Sequence, residues 1–349
     1  MRIIAAAVTL AALLVACAPR APDGVTVLTY ASPYGPAHPF SRADAAWMNW
    51  IAERSGGRMR VQPYWSSAVL SSEHSMIEIR HGVVDVGLIT PIYARGGAHL
   101  IHVQAGYYAG LTTFPQQVAL YRCLERSDPQ FARELDGLVV LAVQGGNLPG
   151  IVTRTRQINT LDDLRGLRLR APAELLEVLR RFGADPVDMP MGEVYSALAK
   201  GVLDGVVAPA DTLRSLHFAE VARHFNTLHV PRGAYAARAI GLKRWNTLTD
   251  EERAILQEGV AVWERELEEQ LRQAEIAGEA AGRESGMIFT TPTDADVARF
   301  LAVYNEVAER NARLASRFEV DGLGLFRYAR SVVSHAVTTG RVECAGETE

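Results

Sequence analysis

The 349-residue chain is 48% hydrophobic and 22% charged, with a formal net charge of −4, the composition of a globular protein long enough for two domains. Its mild acidity, with Lys and Arg dispersed, argues against a nucleic-acid-binding surface. Beyond the N-terminus no apolar stretch approaches the roughly 20 residues that cross a bilayer.

One basic residue, Arg2, precedes an apolar run from Ile3 to Ala16, too short for a permanent span but suited to an export signal. The run ends in Leu14-Val15-Ala16-Cys17, small residues before a cysteine at the spacing of a bacterial lipoprotein signal. Residues 1–16 are therefore expected to be removed, Cys17 to be the lipid attachment site, and 17–24 to form a tether. Several acyl chains hold a protein firmly to a membrane where one does so only marginally. The expected location is the periplasm, anchored to a membrane; an ordinary cleaved signal with an incidental cysteine is the alternative. Ala18 is not the residue associated with inner-membrane retention of lipoproteins, so both membranes stay open. Cys123 and Cys344 remain; in an oxidising compartment one disulfide and two free thiols are both compatible with the sequence.

Val25 to Tyr30 alternates apolar and polar residues as a strand does, and Pro36 to Arg54 carries apolar residues at helical spacing up to Gly56-Gly57. Met59 to Tyr64 is a second strand, Ser72 to His81 a helix stopped by Gly82, and Val84 to Ile89 a third strand. This rhythm predicts an α/β unit with a mostly parallel sheet. After Leu138 to Val143 and the Gly145-Gly146-Asn147 break the rhythm repeats: strands at Ile151 to Thr153, Leu167 to Arg170, Pro186 to Met189 and Leu203 to Ala208, helices at Pro172 to Phe182 and Gly192 to Lys200. From Thr247 to about Ser285 one very long helix is expected, opened by Leu248-Thr249-Asp250-Glu251-Glu252, a cap followed by acidic residues that suit the helix dipole. Its apolar heptads are not sustained, so a helix lying across two domains is preferred to a coiled coil. Met287 to Thr290 is a last strand and Asp294 to Phe318 a further helix.

Catalytic patterns are missing. No Gly-x-Ser-x-Gly turn, His-Glu-x-x-His pair, Walker loop or Gly-x-Gly-x-x-Gly occurs, so neither an enzyme nor a cofactor or metal site is expected. His99 and His102 have no third ligand beside them and read as loop histidines. One constellation stands out. Arg168 and Arg170 alternate on a short strand and so share a face; at a cleft, an Arg fork holds a carboxylate by two parallel hydrogen bonds, an arrangement Lys cannot reproduce. A solvated charged strand is the plainer alternative.

The stretch Leu161-Asp162-Asp163-Leu164-Arg165-Gly166-Leu167-Arg168-Leu169-Arg170-Ala171-Pro172 is followed by Phe182-Gly183-Ala184-Asp185-Pro186-Val187-Asp188-Met189-Pro190, by Gly192-Glu193-Val194-Tyr195-Ser196-Ala197-Leu198 and by Gly201-Val202-Leu203-Asp204-Gly205. Together these resemble the core signature of the TRAP-transporter solute-binding proteins. The likeness extends to Glu53 to Arg58, Gly82 to Gly87, Phe218 to Ala222 and Trp245 to Glu252, nearly the whole mature chain. It implies a two-domain periplasmic-binding-protein architecture of α/β class with hinge strands and a long helix spanning both domains, here 25–147 plus 236–280 and 148–235 plus 281–349. It further implies a small carboxylate ligand, closure upon it, and delivery to TRAP membrane permease subunits; a ligand-sensing protein for a signalling receptor is the rival. In the family, an arginine matching Arg170 pairs with the ligand carboxylate, leaving Arg168 structural. Other contacts implied are Ser32 to Tyr34, Thr90 and Pro91, Tyr195 in the Gly192 motif, and Val207 and Ala208 on the strand after Asp204-Gly205. Here the chain departs from its relatives: Val207-Ala208-Pro209 replaces polar residues, and 149–153 lacks the second arginine of sialic-acid binders. Fewer sugar hydroxyls would be satisfied, and Tyr30, Tyr34, Tyr64, Trp65 and Tyr93 near the expected cleft favour an aromatic or branched acid.

Overall fold

The computed structural model describes residues 24–344, so the expected signal, Cys17 and Ala18 lie outside the described residues. The strands in chain order are β1 (Thr26–Ala31), β2 (Met59–Tyr64), β3 (Val86–Leu88), β4 (Leu138–Gln144), β5 (Gly150–Thr153), β6 (Arg168–Arg170), β7 (Asp185–Val187), β8 (Gly205–Ala208), β9 (His224–Asn226), β10 (Tyr235–Gly241) and β11 (Ile288–Thr290). They form two sheets, ordered β2-β1-β3-β10-β4 and β11-β9-β5-β8-β6-β7. The longer helices are α1 (Pro39–Arg54), α2 (Phe114–Ser127), α3 (Ala173–Arg181), α4 (Asp250–Glu284), α5 (Asp294–Leu314) and α6 (Gly322–Thr339).

Within each sheet, strands joined through a helix run parallel, as β1 does with β2 and β3, and β6 with β7 and β8. The sheets are nonetheless mixed. β10 is antiparallel to β3 and β4, and β5 antiparallel to β8 and β9. Both strands receive the chain from the other sheet through helix-free crossings, 145–149 and 227–234, and a parallel return needs a longer, usually helical, connection.

Helix α4 is the third link between the sheets. Thr249 Oγ1 accepts from the Glu252 amide and the Glu252 carboxylate accepts from the Thr249 amide, a capping box that satisfies two otherwise orphaned donors. Its first half buries Ile255, Leu256, Trp263 and Leu267 in the core of the first sheet. Its second half brings Gly278 against Ala210 and Asp211, and Gly282 against Phe289 and Leu213. A Cβ at Gly278 would run into the Ala210 carbonyl, so the close approach of helix and loop requires glycine there.

Beside the second sheet, α5 packs Phe300, Tyr304 and Val307 with Leu175 and Phe182. The final helix, α6, was grouped by chain order with this second unit, yet it packs with Tyr107, Leu120, Tyr121 and Leu124 on the side of the first sheet. Past its end, Cys344 is disulfide-bonded to Cys123 of α2, with 5.2 Å between the Cα atoms. Among the described residues no helix is long and apolar enough to cross a membrane.

Candidate ligand-binding site

Between the two sheets lies a cavity of about 110 Å3, at the carboxyl ends of parallel strands where ligands of open α/β sheets bind. Tyr34 reaches it from the loop after β1, Thr90 from the end of β3, Arg170 from the end of β6 and Val207 from β8. Pro149 and Pro231 to Tyr235 enter from the two crossings, and Leu271 from α4. All three links between the sheets therefore contribute to one wall.

Arg170 is 2% exposed. Its Nε donates to the Met189 carbonyl at 2.9 Å and its Nη2 to the Tyr93 hydroxyl at 2.7 Å, which hold the guanidinium plane while leaving donors unused. Among the described residues it has no ion-pair partner. The contrast is Arg238 of β10, equally buried, whose Nε and Nη2 donate to the two Asp44 oxygens at 2.7 and 3.1 Å; Tyr30 and Trp263 complete that carboxylate's shell. Buried charge is costly unless paired. Arg238 is a finished internal pair, whereas Arg170 makes no ion pair among the described residues, although Glu174 and Asp188 lie near enough to feel its charge.

Around Arg170, burial pushes several titratable groups toward their neutral forms. Burial, then Arg42 and Arg238, push His38 down to about 3, so the ring is an uncharged cap whose Nδ1 accepts from the Phe40 amide. Tyr34 stacks on it, ring centroids 4.1 Å apart. Burial, then the Tyr93 and Tyr235 hydroxyls, raise Tyr34 well above an ordinary phenol. Burial likewise pushes Tyr235 up to about 12. Its hydroxyl accepts from Gln144 at 2.9 Å, and Gln144 in turn accepts from Arg238, tying the cavity wall to the Asp44 cluster. Glu174 and Asp211 also line the cavity; burial raises both above the usual carboxylate range, against the pull of Arg170 and Arg232 on the first and of Arg232 on the second. Much of the remaining surface is apolar: Phe40, Ile92, Leu175, Met191, Val207 and Leu216.

Of the residues expected from sequence, Arg170, Thr90, Tyr34 and Val207 line the cavity. Ser32, Pro91 and Ala208 are buried beside it without lining it. Tyr195 is not brought there: on its short helix its hydroxyl donates to Glu220 at 3.0 Å, because that helix packs against 218–221 rather than facing the other sheet. Arg168 is exposed and lies 3.8 Å from Asp185. His99 stacks on Phe318 and His102 bonds the Pro91 carbonyl. Sequence reasoning missed Arg232, Glu174, Asp211 and His38, which no motif joins.

The model of the bacterial extracellular solute-binding proteins, family 7, matches residues 31–313. The chain belongs to that family. The fold is shared with solved structures: a TRAP solute-binding protein from Rhodoferax ferrireducens, solved with copurified benzoate, superposes with a TM-score of 0.81 at 21% identity, covering 91% of this chain and 100% of that one. A TRAP periplasmic solute-binding protein from Bordetella bronchiseptica with bound mandelate gives 0.77 at 21%, covering 89% and 99%. By sequence, the sialic acid-binding periplasmic protein SiaP of Vibrio cholerae is 32% identical over 111 residues, 31% of this chain and 34% of that protein. A solute-binding protein of Albidiferax ferrireducens is 24% identical over 190 residues, 51% and 52%. The chain thus spans about half, or less, of the length of these curated relatives.

Proposed function

We propose that this chain is the extracytoplasmic solute-binding subunit of a TRAP-type secondary transporter, tethered through Cys17, which captures a small organic acid and passes it to membrane permease subunits. The observation that carries this reading is the buried, unpaired Arg170 at a cavity crossed by every link between the sheets. A ligand carboxylate supplies the missing anion. The two units, with α6 and Cys344 riding on the first through packing and the disulfide, then close about the crossings, and exclusion of water strengthens the pair.

The apolar side chains of the lining, Val207 among them, support an acid with an aromatic or branched body that they can cover. The benzoate and mandelate of the two solved relatives have such bodies. The test is a thermal-shift screen of organic acids followed by calorimetry, since a ligand that binds only the folded state raises apparent stability. With the best acid, Arg170→Gln is expected to lose about 2–5 kcal/mol of binding free energy, the range for breaking a desolvated charge pair. Near-wild-type affinity in that variant would remove Arg170 from the site.

A further inference from the structure

A second cation stands at the same cavity. Arg232 belongs to the crossing 227–234 and its Nη1 donates to the Asn147 carbonyl of the crossing 145–149, at 3.3 Å. Asn147 Nδ2 in turn donates to the Leu271 carbonyl of α4 at 3.0 Å and to Asp211 Oδ1 at 3.3 Å. The guanidinium lies against Gly146, where any side chain would collide with it. Its direct backbone contacts come from the crossing 145–149, and α4 reaches it only through the Asn147 side chain.

Its hydrogen bonding is not complete. A guanidinium offers five N–H donors, and the half-buried Arg232 uses one of them, weakly, among the described residues. Asp211 and Glu174 share the cavity wall with it, yet neither forms an ion pair with it among the described residues. Arg170 is committed differently: Met189 and Tyr93 orient it, and two of its three remaining N–H donors would fork onto the ligand carboxylate. A plain monocarboxylate would leave Arg232 short of acceptors in a closed, desolvated cavity, which is costly.

We infer that Arg232 is a specificity residue that binds a second oxygen of the ligand, so that the solute is an acid bearing a hydroxyl, oxo or other acceptor oxygen in addition to the carboxylate held by Arg170. This rests on the carboxylate reading above and narrows it. Asp211 and Glu174 then serve as the nearby acceptors for a ligand hydroxyl's proton, while Arg232 donates to its oxygen.

The test uses two matched series on the full mature chain, by calorimetry: phenylacetate, mandelate and phenylglyoxylate; and 3-methylbutanoate with its 2-hydroxy and 2-oxo derivatives. In the series that binds, an oxygenated member is expected to exceed its plain parent on the order of ten- to a hundredfold, as for one hydrogen bond to a charged group. Arg232→Gln is expected to collapse that ratio to within about threefold, whatever it does to overall affinity, and Arg170→Gln to weaken parent and derivative alike. Arg232→Lys, which keeps the charge but loses the fork, should give an intermediate ratio, and serves if the Gln variant's unliganded melting shows misfolding. Plain parents that bind as tightly as their derivatives, or a ratio that survives both Arg232 substitutions, would overturn the inference while leaving the carboxylate reading intact. Failure of every acid, with no thermal shift, sinks both.

Discussion

Glu275 on α4 accepts from the Asp211 amide at 3.1 Å, which sets two carboxylates side by side at the seam between the sheets. Burial, then the charge of Asp211, push Glu275 up to about 7. The unfolded chain releases that proton near the ordinary value of 4.5, so between these pH values the folded state binds the extra proton and stability falls as pH rises. Glu275→Gln removes the effect while keeping an acceptor for the Asp211 amide. The variant should gain on wild type from pH 5 to pH 8 by on the order of 1–3 kcal/mol in urea denaturation; a difference that stays constant across this range would show that Glu275 is not the titrating group. At this scale the sequence is uneven. Arg170 was singled out by the surrounding motif, since strand alternation alone pairs it equally with Arg168 and fits a solvated strand. Arg232 was not, because Pro231-Arg232-Gly233 has no periodicity and its partners lie at Asn147 and Gly146, distant in sequence.

Among the elements, α4 was the easiest to read, since Thr249 and Glu252 announce its start. The same signal, Thr113 with Gln116, opens α2. β10 reads Tyr-Ala-Ala-Arg-Ala-Ile-Gly and is buried throughout, so it shows no alternation, and its alanines dilute the strand signal of Tyr235 and Ile240. α6 hides behind Gly322 and Gly324 in its first turn, where the Asp321 carboxylate accepts from the Gly324 amide at 2.8 Å. Nothing in the sequence distinguishes Gly278 from a helix defect. In an exposed helix Gly→Ala gains about 1 kcal/mol; at Gly278 the methyl group meets the Ala210 carbonyl, and Gly278→Ala is expected instead to lose about 1–3 kcal/mol, the usual range for overpacking. Urea denaturation decides between these signs, and a stabilised variant would show that the helix does not approach the loop so closely.

For the whole molecule, the strand-helix rhythm conveyed the two-sheet α/β plan, but not which unit receives α6. The pairing of Cys123 with Cys344, 221 residues apart, was equally illegible, since nothing local brings them together. The bond pins the segment after α6 to α2 and restricts the unfolded chain. Cys123→Ser is expected to lower unfolding free energy by about 2–5 kcal/mol, and reductant should destabilise wild type but not the variant; equal stability of the two proteins would mean the bond contributes nothing. The same bond closes most of the polypeptide, both crossings included, into a single covalent ring. Cutting one exposed loop inside that ring opens it without releasing a fragment, so nicked and intact protein travel together until a reductant separates the pieces.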